Sequence, residues 1–169
     1  FNHIDHESAT DNSVMVINTA GFCTEEVSNH AIMFILSCAK KLTMLNDLTK
    51  NGKWGLETSS VTSNMVPITD QTLGLVSLGN IGRAVARKAQ ALGMHVIAYD
   101  PYVQPWIAKE YRVELVGSLN DLASRSDFVS MHTPLNNQTR HLIGADFFKA
   151  MKPTAYFINT CRGSTVDED

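Results

Sequence analysis

A doubly wound α/β fold, with a parallel sheet covered by helices on both faces, is the class this sequence predicts. Three observations predict it. Short apolar runs alternate with helical patterns along most of the chain, as strands joined by crossover helices do. The stretch Thr72–Asp100, TLGLVSLGNIGRAVARKAQALGMHVIAYD, reads as strand, glycine turn, helix, strand and acid in one unit. Ser77, Asp100, His132 and Arg162 all fall at the carboxyl ends of predicted strands, the end of such a sheet where ligands bind.

The elements follow in order. VMVIN, Val14 to Asn18, is read as a short strand. Thr24 is the expected N-cap of a helix reaching about Asp47, with Glu25 and Glu26 favoured by the helix dipole in its first turn. Val27, Ala31, Phe34, Ile35, Cys38, Leu42 and Leu45 form one apolar stripe at helical spacing, and Ile32, Met33, Leu36 and Met44 lie off it. A helix apolar on more than one face is covered on more than one side. That leaves two readings: a dimer or domain interface, or a helix wholly inside its own domain. Residues 50–71 read as an extended connection. There Trp54 either anchors a partner subunit or covers core at the domain edge. Asp70–Gln71 turns into the next strand.

Leu73 to Val76 is a buried strand. The following helix sets Ile81, Val85, Ala89 and Leu92 on one face and ends at Gly93. His95 to Tyr99 is the second strand of the unit. Pro105 to Tyr111 is a short helix and RVELV a strand. Ser118 caps a helix with Asp121 in its first turn. Asp127 to His132 is a strand, and the loop TPLNNQTR is broken by Pro134. GADFFKAMKP is a helix stopped before Pro153. Ala155 to Thr160 is the last strand, and Cys161 and Arg162 follow it directly.

The glycine turn carries chemistry. Unpaired N–H groups and about half a positive charge at a helix start attract a pyrophosphate. Gly79 stands where backbone must approach that anion, and Gly82 where the helix must lie against the strand. Asp100, 18 positions after Gly82, is placed to accept from a ribose 2′-hydroxyl, and no arginine follows it to hold a 2′-phosphate. This is a Rossmann pattern, and NAD is favoured over NADP. One residue departs from it. The first glycine of G-x-G-x-x-G is Ser77, which carries a steric cost if the turn needs a positive φ. A βαβ unit that has lost its nucleotide, a drifted dimer, is therefore a competing expectation.

The 169 residues suit one domain with a sizeable core. Fourteen Lys and Arg against 17 Asp and Glu, with no basic tract, argue against nucleic acid or an anionic membrane as partner. No apolar run reaches the roughly 18 residues of a membrane span. Cys23, Cys38 and Cys161 are distant and odd in number, which suits a reducing cytoplasm. His3 and His6 flank Asp5, but with no further ligand nearby a solvated turn is preferred to a metal site. His30, His95 and His141 are read as packing or surface residues.

The segments VSNHAIMFILSCAKKL, LGNIG, AYDPY, SDFVSMHTPLNNQTRHLIG and MKPTAYFINTCRGSTVDE occur in order along nearly the whole chain. Together they closely resemble the D-isomer-specific 2-hydroxyacid dehydrogenases. The resemblance implies a substrate domain split by an inserted NAD-binding domain. Residues 1–20 then end the first part of the substrate domain, and 21–169 form the NAD-binding domain without its final part. It implies that Asn80 and Ile81 touch the pyrophosphate, that Asp100 holds the ribose and that Thr133 lies against the cofactor. It also implies that Thr160, Cys161 and Arg162 form the loop beside the nicotinamide. His132 and Pro134 flank Thr133 as further candidates, although the expected task of His132 is to shape the backbone.

Arg162 is the catalytic candidate, because a planar, permanently charged fork can bind a 2-oxo acid carboxylate and polarise its carbonyl. In this family the proton donor is a histidine paired with a glutamate, both after the arginine. Seven residues follow Arg162 and none is histidine, so the chain by itself is expected to bind NAD and turn over poorly or not at all. Asp167 and Glu168 are read as the start of another helix. The family's dimers, formed through the long early helix and the arm around Trp54, suggest a homodimer here. A second class, NAD-sensing corepressor scaffolds of the C-terminal binding protein type, shares the same resemblance. The resemblance implies a small 2-oxo or D-2-hydroxy acid as substrate and does not single one out.

Overall fold

The computed structural model describes residues 4–168. Asp5 accepts from the Ser8 N–H at 2.9 Å and so caps a first helix, α1 (His6–Asp11). The carboxylate next to His6 thus serves the helix, and His3 lies outside the described residues. The expected strand at Val14–Asn18 does not form. Ser13 turns left-handed (φ 54°), and the Val14 N–H closes onto Ala9 O at 2.8 Å. The run Val14–Asn18 is exposed and pairs with none of the five strands.

The long early helix is two helices, α2 (Thr24–Ala39) and α3 (Leu42–Lys50). Cys23 rather than Thr24 is the capping position of α2, and its side chain makes no capping bond. The break falls at Lys41, which adopts φ 51° without a glycine or proline to announce it. The Lys41 ammonium bonds the Tyr156 hydroxyl and lies 4.8 Å from the ring centroid. The inward face of α2 is Ser28, Ala31, Ile35 and Ala39, whereas Phe34 and Leu42 of the expected stripe are exposed. Small residues let α2 settle against the next long helix, and larger side chains turn outward. The connection expected to be extended contains a 3-10 turn at Gly55–Thr58, a one-turn α4 (Ser59–Thr62) and a second 3-10 turn at Ile68–Asp70.

The central unit follows the reading closely: β1 (Thr72–Val76), α5 (Asn80–Ala91) and β2 (His95–Tyr99). Gly93 ends α5 at φ 87°. Then come α6 (Pro105–Glu110), a two-residue β3 (Glu114–Leu115) and α7 (Leu119–Arg125), with the Ser118 hydroxyl accepting from the Asp121 N–H at 3.1 Å. β4 (Phe128–Met131), α8 (Ala145–Ala150) and β5 (Tyr156–Asn159) complete the set. Val166 pairs with Ile143 in an isolated parallel bridge, and the Asp167 N–H donates to Ile143 O at 2.7 Å.

The five strands are all parallel in the order β3-β2-β1-β4-β5. The sheet is entered at β1, the chain winds outward to β3 and then crosses back to β4, so β1 and β4 flank the point where winding reverses. Strand pleating sends alternate residues to opposite faces. Leu73, Leu75, Val96, Ala98 and Phe128 meet Ala31, Ile35, Val85 and Ala89 of α2 and α5 on one face. Val76, Ile97, Val129 and Met131 meet Leu122, Ala123 and Phe147 of α7 and α8 on the other. Both faces are covered, as a parallel sheet requires.

Candidate functional site

The carboxyl ends of the strands converge, and each functional side chain is held there by a strand end and the loop leaving it. Ser77 follows β1 with φ 81°, so the turn does demand the left-handed backbone that glycine tolerates best. Its N–H donates to Tyr99 O at 2.9 Å, joining the ends of β1 and β2. A Cβ at Gly82 would stand 2.4 Å from the carbonyl oxygen of Ser77. The first turn of α5 therefore presses directly on the strand exit, and only glycine permits it. Gly79 caps α5 with no side-chain hydrogen bond, and Gly79 and Asn80 are exposed. The leading N–H groups of a 12-residue helix thus face an open turn, a ready anion seat.

Asp100, at the end of β2, is half-buried and fully engaged. Its Oδ2 accepts from the Leu78 N–H at 2.8 Å and the Ser77 hydroxyl at 3.2 Å. Its Oδ1 accepts from the N–H groups of Tyr102 at 2.9 Å and Val103 at 3.1 Å. The acid thereby ties the glycine turn to the next loop.

The His132 N–H extends the β4 ladder to Val76 O at 2.9 Å, the backbone role expected of it. Its imidazole is buried, with Nε2 3.0 Å from Ser130 Oγ. Desolvation lowers its pKa from 6.5 to about 4. The ring is neutral at neutral pH and is not a cation for the cofactor or substrate.

Beyond β5, Asn159 organises the next loop in a way the sequence reading missed. Its Oδ1 accepts from the Cys161 N–H and thiol, both at 2.9 Å, and its Nδ2 donates to Arg162 O at 3.0 Å. The buried Thr165 hydroxyl also donates to Arg162 O. The Arg162 backbone is thus clamped from two sides. Its exposed guanidinium donates to Cys161 O at 2.8 Å, which uses only part of its donor set. The local signal was the polar run N-T-C-R-G-S-T directly after a strand.

A cleft of about 500 Å³ joins these parts. Ser77, Gly79, Asn80 and Ile81 line it from the turn, His132, Thr133 and Pro134 from β4, and Thr160, Cys161 and Arg162 from β5. Gly82 and Asp100 lie behind the turn and are not in its wall. Asn18, Thr19 and Phe22 close its other side. No sequence signal marked these three, because only folding carries the segment before α2 across the strand ends. A second cleft of about 760 Å³, with Glu26, His30 and Phe34, meets the first at Thr160–Arg162. His95 and His141 line neither cleft: His95 pairs with Glu114 at 3.4 Å and His141 with Asp167 at 3.8 Å.

The cleft fits a dinucleotide on its own evidence. Three buried polar atoms of its lining residues, Thr133 Oγ1, Thr160 Oγ1 and His132 Nδ1, have no hydrogen-bond partner. Buried polar groups are nearly always paired, so a row of unpaired ones beside an uncapped helix start points to a polar ligand.

Sheet order, glycine turn and strand-end cleft define a dinucleotide-binding domain of the Rossmann class. Residues 32–169 match the family described as D-isomer specific 2-hydroxyacid dehydrogenase, NAD binding domain. The chain belongs to that family, and the cofactor its domain takes is NAD. It is 34% identical over 166 residues to the D-3-phosphoglycerate dehydrogenase of Methanocaldococcus jannaschii, covering 98% of this chain and 31% of the relative. It is 37% identical over 167 residues to the hydroxypyruvate reductase of Thermotoga maritima, covering 99% of this chain and 52% of the relative. Among solved structures it superposes on the D-lactate dehydrogenase of Aquifex aeolicus, complexed with NAD and lactic acid. That match has a TM-score of 0.89 and 30% identity, and covers 99% of this chain and 49% of that one. The chain thus spans from 31% to 52% of the length of these relatives. No helix among the described residues is long and apolar enough to cross a membrane.

Proposed function

We propose that this domain serves an NAD-dependent oxidoreductase that interconverts a small 2-oxo acid and its D-2-hydroxy acid. The observation that carries the reading is Arg162, a clamped arginine with spare donors at the edge of a dinucleotide cleft. When bound, the reduced nicotinamide supplies the hydride. Arg162 holds the substrate carboxylate and polarises the neighbouring carbonyl, so charge developing on that oxygen meets a fixed cation. Asn159 keeps the loop in place for this. The N–H groups opening α5, with Gly79, Asn80 and Ile81, receive the pyrophosphate, while Asp100 receives the ribose. Thr133, Thr160 and neutral His132 satisfy polar atoms of the cofactor along the cleft.

The remaining expectations belong to the same proposal. Residues 1–20 close a split substrate domain, and 21–169 form the inserted NAD-binding domain of a longer protein that supplies the proton donor. The protein is a homodimer through α2, α3 and the arm around Trp54. It works in the cytoplasm, in keeping with the free thiols of Cys23, Cys38 and Cys161. The corepressor reading draws no support from the relatives, whose names are dehydrogenases and reductases.

Two measurements test this. In fluorescence titration the chain should bind NADH, and Asp100→Ala should weaken binding by about tenfold or more, the worth of a charge-assisted bond. In the full-length protein, Arg162→Ala should lower kcat/KM for 2-oxo acids by about 100- to 1,000-fold, with NADH affinity nearly unchanged. Negligible NADH binding, or unaltered turnover by the arginine variant, would reject the assignment.

A further inference from the structure

The four hydrogen bonds on Asp100 have a consequence for cofactor affinity that rests on the dinucleotide reading above. A carboxylate offers about four acceptor positions. In this chain all four are taken, by the N–H groups of Leu78, Tyr102 and Val103 and by the Ser77 hydroxyl. A ribose that is to donate to Asp100 must replace one of these donors. Three are backbone groups fixed by the turn and by the loop after β2. The fourth sits on a single rotatable bond. Ser77 occupies a position where glycine would have no side chain to offer, and its φ of 81° sets the Cβ so that the hydroxyl reaches the acid.

We infer that the Ser77 hydroxyl is a built-in competitor of the cofactor ribose. It occupies the acceptor on Asp100 Oδ2 in the free protein and must rotate away when the dinucleotide binds. Ser77 therefore lowers the affinity for NAD(H) below what the same cleft would show without the hydroxyl. The effect is selective for nucleotides with a free ribose hydroxyl at this position. It leaves the phosphate seat at the start of α5 untouched, since Gly79, Asn80 and Ile81 do not bond to Ser77 Oγ. The serine is thus an affinity-setting residue and not only a strained substitute for glycine.

The test is equilibrium titration of the wild-type chain and of Ser77→Ala with NADH and with its 2′-deoxyadenosine form. Alanine keeps the Cβ and the positive φ and removes only the hydroxyl, and circular dichroism confirms folding. Ser77→Ala should bind NADH about three- to tenfold more tightly, the worth of one net hydrogen bond. Its gain for the 2′-deoxy form should be smaller. Ser77→Gly, which also relieves the backbone, should shift NADH affinity in the same direction and serves if the alanine chain fails to fold. Equal or weaker NADH binding by both variants overturns the inference while leaving the dinucleotide reading intact. So does an equal gain for the two nucleotides. Absence of NADH binding by wild type and variants alike rejects the parent reading and this inference together.

Discussion

His132 shows how burial at a strand end sets chemistry. Its ring has lost water on nearly every side and gained one hydroxyl partner, Ser130. The charged form is disfavoured, and the pKa falls to about 4. The unfolded chain, with an ordinary histidine, binds its proton near pH 6.5. Between these values the unfolded state holds more protons than the folded one, so stability rises with pH there. The contribution is complete above about pH 6.5 and is lost as pH falls toward 4. Relative to His132→Gln, the wild-type chain should lose about 2 kcal/mol between pH 7 and pH 5 in urea denaturation. Parallel pH profiles for the two would contradict this burial. At the same scale, Asp100 was singled out by its spacing from the glycine turn, and Arg162 by its chemistry together with the family resemblance around it. Asn159 was not, because its role lies in three bonds that only the folded loop reveals.

Among the elements, β1 is the best specified and the most tightly confined. A Cβ added at Gly74 would meet Ser126 Oγ at 2.2 Å and Leu122 Cγ at 3.0 Å. The C-terminal end of α7 rests on bare backbone in the middle of the sheet. Gly74→Ala should lower stability by about 1–3 kcal/mol through overpacking, read as a drop in Tm. Adding Ser126→Gly should recover part of that loss, since the two sites share one contact. The strand itself was legible from its apolar run, but the demand for glycine within it was not, because the neighbour comes from residues about 50 positions away. The helix α5 was legible throughout, since the periodicity of Ile81, Val85 and Ala89 agrees with its caps. The long early helix was misread at Lys41, where a tertiary contact to Tyr156 accompanies the break. Val14 to Asn18 was misread as a strand because β propensity alone cannot provide an edge to pair with.

Across the whole molecule, several large apolar side chains of α2, α3 and the arm are exposed. Met33, Phe34, Leu42 and Met44 are between 38% and 56% exposed, and Trp54 and Leu56 are 78% and 91% exposed. Large apolar side chains exposed in this number on neighbouring elements are what an interaction surface would use. The outward turn of Phe34 and Leu42, unforeseen in the apolar stripe, strengthens the proposal of a dimer at this face. Phe34→Glu combined with Met44→Glu should shift the chain from dimer to monomer in light scattering, because each charge would be buried without a partner. A dimer unaffected by both charges would place the interface elsewhere.

Local periodicity, turn residues and the spacing from Ser77 through Gly82 to Asp100 were enough to determine the α/β class, the order of the central elements and the cofactor. Each of these depends on residues close together in sequence, where the pleat, the helical turn and the glycine bend act directly. Tertiary structure alone decided what Asp100 is bonded to, how Asn159 holds Arg162, and which face of α2 is buried. It also decided that the segment Asn18–Phe22 walls the cleft. These depend on groups brought together from distant parts of the chain, and no local pattern records the partner a side chain will meet.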